Sequence, residues 1–101
     1  MSNNDVILKA KDLIKQQKER DKRKHDTFNK IYKKIEKRIS IASIGNSYFT
    51  MYEIPEFILG IPLYNIIEAV NYIKVKLTHN GFTVEYYKPN ILLISWLPTQ
   101  N

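Results

Sequence analysis

The clearest pattern in the chain is a stripe of apolar residues that recurs every three or four positions between residues 27 and 44. This spacing places side chains on one face of an α-helix. Asp26 or Thr27 can cap the start of the helix, and Gly45 suits the position just past its end. The opposite face is rich in lysine, so we expect a helix with one packing side and one cationic side. The apolar face consists of Phe28, Ile31, Tyr32, Ile35, Ile39 and Ala42.

The pattern is weaker in the residues before this helix. Asp5 can cap a first helix, which has apolar positions at Val6, Ala10, Leu13 and Ile14. No apolar residue occurs over residues 15–26, although most residues there are good helix formers. We therefore expect this span to be either a solvated helix or a frayed linker.

The middle of the chain predicts a strand, a turn and another helix. Residues 48–54 are rich in β-branched and aromatic side chains, which favours a strand that ends before Pro55. The two prolines and the glycine of residues 54–62 indicate a turn or a single helical turn that directs Phe57 and Leu59 inward. Pro62 suits the first turn of a helix over residues 63–79. Its apolar stripe is Leu63, Ile66, Ile67, Val70, Ile73 and Leu77.

The last part of the chain predicts a β-hairpin. Asn80-Gly81 ends the preceding helix, and residues 82–87 and 91–97 form strands around a turn at residues 88–90. The second strand is apolar on nearly both faces, so we expect it at the centre of a three-stranded sheet. Helix 63–79 can cover one face of that sheet. The helix before the sheet, or a partner, must cover the other.

These elements predict an α+β fold with a basic N-terminal helical arm, followed by β-α-β-β and a small three-stranded sheet covered by amphipathic helices. The helix crossover allows the first two strands to run parallel. Residues 1–27 form the basic helical arm or linker, residues 28–97 the small α+β domain, and residues 98–101 a polar tail.

Composition limits the classes of function. The 101 residues contain no cysteine, no signal-peptide pattern and no apolar run of about 18 residues, so we expect an intracellular protein without a membrane span. The net charge of +6 is unevenly placed: the first 40 residues hold 13 Lys/Arg against six Asp/Glu, and residues 41–101 hold three against four. Such asymmetry indicates an anionic partner: nucleic acid, a membrane surface or an acidic protein.

Catalytic chemistry has little support. Residues 41–101 contain no aspartate, one histidine and four scattered glutamates, none at the spacing of an acid–base pair or a metal site. The two histidines, His25 and His79, are far apart, and His79 suits the last turn of a helix. We therefore expect no enzyme activity, no cofactor, no metal site and no small-molecule substrate.

Two sets of residues are candidates for binding. Basic residues near residue 22 and on the cationic helix face could contact nucleic acid or another anionic partner, although a solvated surface explains them equally well. They are Lys22, Arg23, Lys24, Lys30, Lys33, Lys34, Lys37 and Arg38. If Phe49 and Met51 point inward, aromatic residues gather on the opposite sheet face as a second core, a protein interface or a stacking platform. That set is Tyr48, Tyr52, Tyr87 and Trp96.

Several strings in residues 28–97 resemble a family of small uncharacterised proteins of nucleocytoplasmic large DNA viruses. The strings are Lys34-Ile35-Glu36-Lys37-Arg38-Ile39, Ile54-Pro55-Glu56-Phe57, Gly60-Ile61-Pro62-Leu63-Tyr64, Asn80-Gly81-Phe82-Thr83-Val84-Glu85-Tyr86-Tyr87 and Pro89-Asn90-Ile91-Leu92-Leu93-Ile94-Ser95-Trp96. The resemblance leaves residues 1–27 outside and supplies no catalytic residue. It implies a setting in the host cytoplasm, the viral factory or the virion.

The leading hypothesis is therefore a non-catalytic structural or interaction protein of a virus, a component of the virion or of its assembly. It acts through protein-protein contacts, with a protein partner or with itself, and its basic arm adds an electrostatic contact. The alternative is a nucleic-acid-binding protein that uses the arm and the cationic face of helix 27–44.

Overall fold

The computed structural model describes residues 7–98. It contains five elements, and their order confirms the α+β class and the β-α-β-β succession after a helix. Asp5 and Val6, which were expected in a first helix, lie outside the described residues. The elements are α1 (Ala10–Ile44), β1 (Phe49–Glu53), α2 (Ile66–His79), β2 (Thr83–Tyr87) and β3 (Ile91–Ser95).

Helix α1 is continuous over 35 residues. The prediction of a helix start at Asp26 or Thr27 is therefore wrong, because both residues lie inside α1. Side chains one turn apart support the span between the two predicted helices: Gln17 Nε2 donates to Asp21 Oδ1 over 3.0 Å. Every residue from 7 to 26 is exposed. Of the two alternatives for residues 15–26, a solvated helix or a frayed linker, the structure has the solvated helix. The helical part over residues 10–26 is about 25 Å long.

Strand β3 is central, as predicted, in a sheet of order β1-β3-β2. Both outer strands are antiparallel to β3, so β1 and β2 run in the same direction without being neighbours. Asn90 aligns the sheet at one end. Its carbonyl accepts from Ile54 N over 2.8 Å, and its side-chain amide donates to Ile54 O over 2.8 Å.

Helix α2 starts later than predicted. Its N-cap is Asn65, whose side chain accepts from Glu68 N over 3.0 Å, so Pro62 precedes the helix instead of beginning it. The helix ends at Asn80 as expected, and Gly81 has a φ of 94°, which glycine adopts without steric cost.

The segment between β1 and α2 packs through residues other than the predicted ones. Phe57 and Leu59 are exposed, which contradicts their expected inward orientation. Ile54 is fully buried, while Ile58 and Tyr64 pack against the core. The reason is a local tether, because the Tyr64 hydroxyl donates to Pro55 O and holds the segment by its two ends.

Both helices pack on the same face of the sheet and form one core with it. This arrangement contradicts the option that the helix before the sheet covers the second face. The physical reason is that the apolar stripe of α1 also contacts α2, so both stripes meet over the same strands. The fully buried side chains include Ile31, Ile35, Ile54, Ile73, Leu77, Leu92 and Ile94.

Candidate interaction surfaces

Strand β1 turns its apolar side chains away from the helices. Phe49 and Met51 are 58% and 53% exposed, whereas Thr50 and Tyr52 are each 9% exposed. Phe49 and Met51 therefore do not point inward, so the condition under which the aromatic residues would share the opposite sheet face is not met. Tyr52 takes the inward position because its ring joins the core and lies 5.7 Å from the Arg38 guanidinium.

The side of the sheet away from the helices forms a surface that we call the open sheet face. The register aligns it in three rows across β1, β3 and β2. Within the part of the chain that the structure describes, no element packs over these rows. The rows are Phe49, Ser95 and Thr83; Met51, Leu93 and Glu85; and Glu53, Ile91 and Tyr87.

The open sheet face is apolar with an acidic character. Its two charged residues are Glu53 and Glu85, and none of the nine is basic. The Tyr87 hydroxyl donates to Glu85 Oε2 over 2.9 Å, and this hydrogen bond raises the pKa of Tyr87. The face therefore presents carboxylates beside apolar side chains, which suits a partner surface that combines apolar and basic residues.

The four aromatic residues predicted as an interface do not share one surface. Tyr52 lies in the core, where burial raises its pKa and the charge of Arg38 partly opposes that rise. Trp96 packs edge-to-face on Phe82, with ring centroids 6.1 Å apart. Tyr48 is exposed just before β1. Only Tyr87 belongs to the open sheet face.

The cationic side of α1 contains a straight line of residues that we call the outer stripe. Their spacing of three and four places them on one helix face, and all are exposed. Toward the N-terminus the same helix face continues with Asp26 and then Lys22, both exposed. Lys34 is exposed beside the stripe. The outer stripe is Lys30, Lys33, Lys37, Ile41 and Ile44.

The remaining predicted cations have other surroundings. Arg38 lies at the free edge of β1, where its guanidinium donates to Met51 O over 3.4 Å. Lys24 forms a 3.1 Å ion pair with Glu68 of α2, and Arg23 lies in the preceding position beside the same region. The eight predicted cations therefore fall into three groups along α1 instead of one continuous surface.

A polar cluster between the two helices was missed at the sequence level. Asn29 Oδ1 accepts from Lys76 Nζ over 2.6 Å and from the Tyr72 hydroxyl over 2.9 Å. The Lys76 ammonium also lies 4.8 Å from the centre of the Tyr32 ring. These contacts join α1 to α2 across more than 40 residues of sequence, which is why local spacing gave no sign of them.

The histidines do not meet. His25 lies on α1 with its ring 5.4 Å from that of Tyr72, and His79 ends α2 as predicted. Over residues 7–98 there is no group of three His, Cys, Asp or Glu side chains that could hold a metal ion.

Comparison with known families decides where the chain belongs. Residues 8–78 match the model of a family of unknown function, DUF5759. The chain belongs to this family. The match begins at residue 8 and so includes the whole of α1, whereas the resemblance found in the sequence began at residue 28 and left this part of the helix outside.

A relative from a giant virus supports the same conclusion. An uncharacterized protein of Acanthamoeba polyphaga mimivirus is 30% identical over 100 residues, a match that covers 95% of this chain and 81% of the relative. No solved structure matches the chain. The predicted resemblance to an uncharacterised family of large DNA viruses is therefore confirmed for this DUF5759 member. Over the described residues, neither helix is long and apolar enough to cross a membrane.

Proposed function

We propose that the chain is a non-catalytic interaction protein of a giant virus, which assembles by binding further copies of itself. In this proposal the open sheet face of one copy binds the outer stripe of α1 in the next copy. The site of action is the virion or the viral factory in the host cytoplasm. One observation carries the proposal: both helices cover the same side of the sheet, and on the other side Phe49 and Met51 of β1 and Tyr87 of β2 remain exposed.

Charge complementarity supports the outer stripe as the occupant. The stripe has three lysines followed by two isoleucines, whereas the open sheet face has two glutamates among apolar residues. Two sheet faces brought together would instead oppose the carboxylates of Glu53 and Glu85 with no basic residue between them. Like charges across an interface are unfavourable, so a contact between unlike surfaces is preferred.

The size of the sheet also favours a long partner element. Three strands of five residues form a sheet of roughly 14 by 17 Å. The area of this sheet is much smaller than the about 800 Å² that each partner buries in a standard interface. A helix placed across the sheet extends past both of its edges and contacts neighbouring residues there. The α1 helix has the necessary length and an exposed side on which to do so.

Sedimentation velocity over micromolar to near-millimolar concentration tests the proposal. The average mass of the full chain should rise with concentration, and Met51→Lys should abolish the rise because it places an ammonium against the lysines of the stripe. Val75→Lys is the matched control, since Val75 is an exposed apolar residue on α2 outside both surfaces. A monomer at all concentrations, or equal loss in both variants, would refute the proposal.

A polyanion is the second candidate partner. Lys30, Lys33 and Lys37 are exposed, and none of them forms an ion pair, because Lys24–Glu68 is the single ion pair among residues 7–98. Affinity for a DNA or RNA oligonucleotide should then fall with salt. For duplex DNA, replacing the three lysines by glutamine should reduce the slope of log affinity against log salt concentration by about 0.9 for each phosphate contact removed. Lys74→Gln and Lys88→Gln are the controls. An unchanged slope, or no binding at low salt, excludes this function.

A further inference from the structure

A cavity of about 490 Å³ lies between α1 and the segment that leads into α2. Its floor is formed by Phe28 and Thr27, which are 4% and 8% exposed. Its far wall is the non-helical segment from Pro62 to Asn65, in which Leu63 is largely exposed. A buried apolar floor with an exposed rim makes this a groove that another chain can enter from solvent.

The wall exists because α2 starts late. Asn65, whose backbone is extended, caps the helix through Glu68 N, so residues 62–65 remain outside the helix and form the wall opposite α1. The Tyr64 ring lies edge-on to Phe28 with centroids 6.5 Å apart, which fixes the inner end of the wall. The space between the two elements is therefore part of the fold and does not depend on the open sheet face.

Three cations and one carboxylate line the cavity. Lys24 is paired with Glu68 at 3.1 Å, and the Arg20 guanidinium donates to Gln17 Oε1 over 2.9 Å. Neither Arg20 nor Arg23 has a salt bridge to any acidic residue within the described chain. The rim therefore has two positive charges in excess, directly above an apolar floor.

We propose that this cavity binds an acidic segment of a partner protein that carries one apolar anchor side chain. The anchor occupies the floor on Phe28 and against Leu63, and neighbouring carboxylates of the segment contact Arg20 and Arg23. Charge-assisted hydrogen bonds from guanidinium to carboxylate are short and directional, so they fix the orientation of the segment. The apolar lining, chiefly the exposed Leu63 side chain, distinguishes this ligand from a bare anion, which would leave that side chain in contact with water.

The Lys24–Glu68 pair predicts whether removing the Glu68 charge raises or lowers the affinity for the acidic segment. The Glu68 carboxylate lies on the rim, where it repels an acidic ligand and competes with it for Lys24. Glu68→Gln keeps the backbone N–H that Asn65 caps and removes only the charge. This substitution should therefore strengthen binding several-fold, although it deletes an ion pair of the folded protein.

Fluorescence anisotropy with three short labelled peptides tests the site. The probe has one Leu or Phe flanked by Asp and Glu; one comparison peptide has Gly at the anchor, and the other has Asn and Gln in place of the acids. Only the probe should bind well. Arg23→Gln should weaken it about tenfold, the loss of one charge-assisted contact, and Glu68→Gln should strengthen it.

Lys33→Gln is the matched control, because it removes one charge from the same helix outside the cavity. The control and Met51→Lys should leave probe affinity unchanged, which separates this site from self-assembly. The proposal is overturned if the probe does not bind, if Lys33→Gln weakens it as much as Arg23→Gln does, or if Glu68→Gln weakens it. Binding of a DNA oligonucleotide through Arg23 without binding of the peptide would also overturn it.

Discussion

Replacing Ile35 by alanine should lower the free energy of unfolding by about 2–5 kcal/mol. Ile35 is fully buried in the C-terminal half of α1 and belongs to the core cluster shared with α2 and β3. The substitution deletes three carbon atoms at a position where three elements converge, so the surroundings have little freedom to close the cavity. Urea denaturation at a concentration where the chain is monomeric measures the change, with an unchanged m-value as the sign of a true stability effect.

Ile67→Ala is the control for this prediction. It makes the same chemical change on a helix, but Ile67 is more than half exposed, so the loss should be much smaller. Similar losses at the two positions would mean that α1 does not pack on the sheet as described. A chain of this size has a total stability of about 5–15 kcal/mol, so Ile35→Ala should be evident in the thermal midpoint as well.

The apolar period of a helix predicted its buried face well. Phe28, Ile31, Tyr32, Ile35 and Ile39 are all buried, because the helix can turn its apolar stripe toward the core in only one orientation. The end of α2 at Asn80-Gly81 was equally clear, since these residues tolerate the backbone conformations found there.

The same reasoning was insufficient for the strands. Three of the five residues of β1 are large and apolar or aromatic, at both odd and even positions, so their types did not determine which face is inward. The orientation follows from long-range contacts: Asn90 with Ile54, and Arg38 with the ring of Tyr52. In β3 both faces are apolar, which predicted the central position but not which face the helices cover.

The cavity and the polar cluster of Lys76 depend on residues more than 35 positions apart. Local spacing contains no information on such pairs. One local sign was present in the case of the cavity, because Asn65 and Glu68 have the spacing of a helix cap and place the start of α2 after Pro62. A helix start at Asn65 leaves residues 62–65 as a non-helical wall opposite the basic run of α1.

Exchanging charges between the two proposed surfaces should first abolish and then restore self-assembly. One variant has Glu53→Lys and Glu85→Lys on the open sheet face, and the other has Lys33→Glu and Lys37→Glu on the outer stripe. Each variant alone should remain monomeric, because its two surfaces then have the same charge. In an equimolar mixture every contact between unlike variants is complementary, so sedimentation should detect assemblies that alternate the two.

The same variants distinguish a contact between unlike surfaces from a two-fold symmetric dimer. The variant with Glu53→Lys and Glu85→Lys keeps an intact outer stripe, so it can bind the sheet face of an unaltered copy but cannot accept a further copy itself. Small amounts should therefore shorten the assemblies of the unaltered chain by ending them. A symmetric sheet-to-sheet dimer contains no growing end, and the average mass would then change only in proportion to the variant added. High salt should weaken the mixed assemblies too, because the charges lie at exposed positions.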